Sequence, residues 1–185
     1  MGEHGKGTGR EAHPGEAPGG QGAVRAPELL GVYLNDHLAG ATSGLRLARR
    51  MTGSRASEDA GPELREIAAE IAEDRAALLG IMRRLGIPVR HYKAYLGGLA
   101  ELAGRLKLNG RLVRRSPLSD LLELETLRLG VAGKIEVWSL LRELAARDPR
   151  LEERLLDELL TRARRQGETL ERLRMERARE LFTPA

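Results

Sequence analysis

The chain has 185 residues, with 31 lysines and arginines against 27 aspartates and glutamates and no cysteine. A chain without thiols has no disulfides, thiolate zinc sites, iron–sulfur clusters or cysteine nucleophiles, an inventory that suits a reducing cytoplasm. The net charge of +4 rests on arginine interleaved with glutamate, and the whole sequence holds one Trp, three Tyr and one Phe. The aromatic platforms of a nucleic-acid surface are therefore missing, and the basic balance reads as GC-rich codon usage.

Residues 1–27 mix Gly, Pro, His and Glu with almost no large apolar side chain. Such a segment buries too little surface to offset the entropy of ordering, which predicts a disordered tail, and it holds no apolar core of a signal peptide. The remaining stretch of about 155 residues, 28–182, is the length of one domain with a real core.

Apolar residues recur at helical spacing in four long segments, which predicts an all-α fold. The first runs over about 28–51. The second opens at Pro62, a favoured first-turn residue, and stops before Gly86 and Pro88. The third opens at Ser116-Pro117 and continues to about 147, where Asp148-Pro149 repeats the start signal for a fourth that fades near 182. About 30 residues separate the second and third helices, far more than antiparallel neighbours require. Residues 89–108 within that stretch have helical periodicity and would carry the chain roughly 25–30 Å. Two hairpins joined by one long helical crossover define a ferritin-like four-helix bundle. No run approaches the roughly 20 apolar residues that span a bilayer; the least polar, 29–48, carries Asn35, Asp36, His37 and Arg46.

Steps of 100° per residue place Asn35, Thr42, Arg46 and Arg49 on the outer side of the first helix, and Tyr33, His37, Gly40, Gly44 and Met51 on its inner side. In the second, Glu66, Glu70 and Glu73 form an outward row read as a solvated face, while Arg75 points inward with Leu64, Ile71 and Leu79. The third helix carries an inner stripe of Glu123, Leu127, Gly130, Lys134, Val137 and Leu141, and the fourth offers Leu156, Leu159, Ala163 and Leu170 with Gln166 at the edge. Folding the hairpins brings His37, Arg75, Glu123, Lys134 and Gln166 to one depth near mid-bundle. Charged side chains are rarely buried unpaired, so this set is expected to form a buried polar network or to line a ligand pocket. Leu38-Ala39-Gly40 echoes Val131-Ala132-Gly133, small residues expected to let helices approach closely, and Trp138 reads as a packing residue.

Di-iron bundles hold their metals with one glutamate from each of two helices and Glu-x-x-His from each of the others. None of the four histidines here has a glutamate three residues before it. A competing reading keeps iron or manganese on Asp36, His37, Asp74 and Glu123, but Arg75 and Lys134 then occupy the space of two cations. No catalytic motif is present. Arg105, Lys107, Arg111, Arg114 and Arg115 form a basic patch suited to phosphates or an acidic partner, without a nucleic-acid-binding motif; a solvated loop is the simpler reading.

Three stretches, Tyr-Leu-Asn-Asp-His-Leu-Ala-Gly-Ala at 33–41, Gly-Arg-Leu-Lys-Leu-Asn-Gly-Arg-Leu at 104–112 and Leu-Gly-Val-Ala-Gly-Lys at 129–134, carry a resemblance to uncharacterised ferritin-like helical proteins of actinobacteria. The resemblance covers about 28–181 and implies a fold and a bacterial source but no activity. The expectation is a cytoplasmic, non-catalytic binding or interaction protein, with a protein partner or a second copy of itself and no resident cofactor. The alternative is a divergent metal-dependent oxidoreductase.

Overall fold

The computed structural model describes residues 26–53, 61–90 and 117–183. Among them the chain forms four helices and no strand: α1 Ala26–Thr52, α2 Gly61–Leu85, α3 Pro117–Ala145 and α4 Glu153–Phe182. The tail up to residue 25, the expected crossover helix and the basic patch at Arg105, Lys107, Arg111, Arg114 and Arg115 lie outside the described residues. Each helix has an acidic residue in its first turn (Glu28, Glu63, Asp120, Glu153) and a basic one in its last (Arg49, Arg83, Arg142, Arg179), which suits the helix macrodipole.

Gly86 ends α2 with a φ of 71°. The Gly86 N–H donates to Arg83 O at 3.1 Å and the Ile87 N–H to Met82 O at 2.9 Å. These are the paired bonds of a Schellman C-cap, whose left-handed residue is nearly free of steric cost only in glycine. Asn35 of α1 then fastens the outgoing chain. Its side-chain amide donates to Gly31 O at 2.7 Å and Pro88 O at 3.1 Å, and its oxygen accepts from the Arg90 N–H at 2.7 Å. The outward placement of Asn35 is thus corrected. It is buried, because an amide with these three bonds can leave water at little cost.

The Asp148-Pro149 start signal also needs correction, since α4 begins at Glu153. Arg150 takes the Asp148 carboxylate through its backbone N–H at 3.0 Å and its guanidinium at 2.9 and 2.6 Å, and the Leu151 N–H donates to Asp148 O at 3.0 Å. A carboxylate engaged this way closes a turn and does not cap a helix. Its hydrogen bonds from Arg150 hold the Asp148 carboxyl down at about 2.

The core falls into two halves. At one end Leu34 and Leu38 of α1 meet Ile81 and Met82 of α2, Trp138 and Leu141 of α3, and Leu156 and Leu159 of α4. At the other, Ala48 and Met51 meet Leu64, Ile67 and Ile71, Leu124 and Leu127, and Leu170 and Leu173. Each large aliphatic side chain buried there contributes about 1.5–3 kcal/mol relative to exposure. The sharing of ends shows that α2 and α3 run parallel to each other and antiparallel to α1 and α4. Consequently α2 finishes at the Trp138 end and α3 starts at the opposite one. No helix among the described residues is long and apolar enough to cross a membrane.

Candidate functional site

Between the two core halves lies a polar layer. The buried stripe of α2 runs Leu64, Ile67, Ala68, Ile71, Asp74, Leu78 and Ile81 and carries the Asp74 carboxylate into the interior, where it is 2% exposed. Lys134 of α3 puts its Nζ 2.5 Å from Asp74 Oδ2 and donates also to Gln166 Oε1 of α4. An Arg162 Nη2 from α4 stands 2.5 Å from Asp74 Oδ1 as an ion-pair contact without hydrogen-bond alignment. Gln166, 1% exposed, donates from Nε2 to Glu70 Oε2 at 2.8 Å and, more weakly, to Asp74 Oδ2 at 3.4 Å. Glu70 is also paired with Arg165, and Arg162 with Glu73 at 2.7 Å. A buried carboxylate is tolerable only when its charge is compensated, and two cations from two other helices do this for Asp74. Burial pulls the Lys134 ammonium below its ordinary value, against the opposing pull of Asp74.

Beside this layer a cleft of about 270 Å³ is bounded by α1 and α3, with α2 as its floor. Gly40 and Gly44 of α1 and Gly130 and Gly133 of α3 line it, together with Ile71, Leu78, Leu127, Val131, Val137 and Trp138. A Cβ added at any of the four glycines meets no atom within 4 Å. Gly40 and Gly133, the glycines of the two echoed tripeptides, therefore do not serve close helix approach; they leave space. Asp74 and Lys134 reach the cleft from the polar layer, and Asp36, His37 and Arg75 complete its polar lining.

The sequence-predicted residues separate into those this centre gathers and those it does not. Lys134 and Gln166 join the layer; Gln166, placed at an edge by its register, is fully buried. Arg75 lines the cleft and donates from Nε to Thr42 Oγ1 at 2.9 Å. His37 is half-buried, stacks edge-on against Tyr33 with ring centroids 4.4 Å apart, and is held below its ordinary pKa by burial, with Asp36 opposing. Glu123 is a correction. It lies a helical turn or more from the layer and pairs with the exposed Arg50 of α1 at 3.1 Å, so it is not the acid beside Lys134. That acid is Asp74, named above only as a candidate metal ligand, which lies toward one side of the buried stripe of α2. The Glu66, Glu70 and Glu73 row is not simply a solvated face either: all three carboxylates meet arginines of α4, and Glu70 turns into the layer. Arg162 went unnoticed because its guanidinium reaches inward from a partly exposed position, which register does not reveal.

A di-metal centre does not fit these side chains. No group of three or more His, Cys, Asp or Glu converges among the described residues, and of the candidate ligands Asp36, His37, Asp74 and Glu123, Asp74 is neutralised by Lys134 and Arg162 while Glu123 faces Arg50. Among the described residues no serine lines the cleft, and its imidazole, His37, touches a tyrosine ring. The chain matches no family model, no curated protein and no solved structure.

Proposed function

We propose that this chain is a non-catalytic, ferritin-like bundle that binds a ligand or a partner, with an ion-pair layer at the depth where bundles of that class hold two metals. The helix directions support the ferritin-like part of this reading. With α2 and α3 parallel, residues 90 and 117 stand at opposite ends of the bundle, the situation that a single long crossover resolves. The observation that carries the non-metal part is the pairing of Asp74: each of its oxygens faces a cation, Lys134 on one side and Arg162 on the other. Carboxylates committed to internal cations are poor ligands, because a metal would have to displace two positive charges from the Asp74 oxygens.

Elemental analysis of untagged protein tests this. The expected iron and manganese content is far below one per chain, before and after incubation with ferrous or manganous salt. Near-stoichiometric metal that survives dialysis would overturn the reading in favour of a metal-dependent oxidoreductase.

A further inference from the structure

The cleft walls are apolar, and its volume of about 270 Å³ sits near the lower bound of small-molecule pockets, which run from about 300 Å³. That suits a short acyl chain or a single ring. The polar groups around it, Asp36 and Asp74 among them, include donors that are not fully used. Trp138 lines the cleft at 1% exposure, and its Nε1 has no hydrogen-bond partner. Lys134 uses two of its three N–H donors, on Asp74 and Gln166. Arg75 has its Nε on Thr42 and lines the cleft, a lining that Asp36 shares. Of the Asp74 oxygens, Oδ2 accepts from Lys134, while Oδ1 faces Arg162 without an aligned hydrogen bond. Trp138 Nε1 is thus a buried donor in the cleft wall without an acceptor, a cost that a bound acceptor would remove.

We propose that this cleft binds a small amphiphilic carboxylate, its apolar part between the glycine-bearing faces of α1 and α3 and its anionic head among Trp138, Lys134 and Arg75. The proposal rests on the binding reading above and gives it a ligand class. The glycines supply the room: side chains at positions 40, 44, 130 and 133 would project into the space the apolar part needs.

The single tryptophan of the chain makes the test direct. Full-length protein is titrated with octanoate, octanol and octylamine, following Trp138 emission and, in parallel, heat by calorimetry. Octanoate should saturate at one per chain and bind at least about tenfold more tightly than octylamine. Arg75→Gln should weaken octanoate about tenfold, the loss of one charge-assisted contact, while leaving octanol unchanged. Gly133→Leu, with Gly130→Leu as a second variant, should abolish binding of octanoate and octanol without lowering the thermal midpoint. Equal affinity for octylamine and octanoate would overturn the anion preference. The absence of saturable binding by any of the three, or wild-type binding in both folded leucine variants, would overturn the cleft as a ligand site. Either result leaves the metal analysis untouched, so this proposal fails separately from the proposed function.

Discussion

Between α2 and α4 the gap is closed by long side chains: Arg162, Arg165 and Arg172 of α4 reach Glu73, Asp74, Glu66, Glu70 and Glu63 of α2. Between α1 and α3 the facing positions at mid-height are four glycines, and the gap stays open as the cleft. Both seams are flanked by the same apolar cores at either end, so core packing does not account for the difference. It comes from side-chain reach. Arginine spans a wide helix separation and turns it into a polar seam, whereas glycine at a similar level leaves room for something else. In a protein whose charged residues are numerous and mostly paired, the place where side chains have been withheld is the informative one.

The largest effect that would test this contrast comes from the deep end of the polar seam. Asp74→Leu leaves Lys134 and Arg162 without their shared anion and should cost roughly 3–5 kcal/mol in urea unfolding, the usual penalty for breaking a buried pair from one side. Changing Lys134 to Met in the same chain should cost less than the sum of the two single changes, and additivity would show that the pair is not coupled. Glu123→Leu, which removes the ion pair to the exposed Arg50, should cost clearly less than Asp74→Leu, on the order of 1 kcal/mol. A loss as large as that of Asp74→Leu would restore Glu123 to the network.

Gln166→Leu strips Lys134 of one acceptor and Glu70 of one donor and should cost about 1–3 kcal/mol. On the open seam the sign reverses. Gly40→Ala and Gly130→Ala should each raise stability by about 0.4–1 kcal/mol, because the methyl group meets empty space while the unfolded chain loses freedom. Destabilisation at both positions would mean that the helices close on each other there.

At the solvent side of the polar seam, Glu73→Gln should change stability by only about 0.2–1 kcal/mol and the change should shrink in high salt. The mildest effect is expected in acid. Burial lowers the His37 pKa, so between that lowered value and the ordinary 6.5 the unfolded chain binds more protons than the folded one, and stability falls as the pH drops through this window. Thermal midpoints at pH 7.5 and 5.5 should differ less for His37→Gln than for wild type; an identical pH response would mean that His37 titrates alike in the folded and unfolded chain.

Much of this was legible in the residues. Four helices, their approximate ends, the Gly86 stop and the inward course of Lys134 follow from periodicity and end signals. The failures have a common cause. Asn35, Glu70 and Asp74 sit near the boundary between faces, where a rotation of some tens of degrees decides burial and only neighbouring helices fix that rotation. Asp148 and Glu123 failed for a related reason: a nearby arginine, Arg150 in one case and Arg50 in the other, took the carboxylate before it could cap a helix or join the centre.

By itself the sequence determined what is local: helical spacing, the glycine that must end α2, and the absence of Glu-x-x-His pairs, all of which depend on residues within a turn or two of one another. Tertiary structure alone decided which charges meet. Asp74, Lys134, Arg162 and Gln166 lie on three helices, and their partnership depends on the separations and rotations of those helices. The same holds for the four glycines. Their lack of side chains is plain in the sequence, but whether that lack brings two helices together or holds a space between them is set by the packing of the cores above and below.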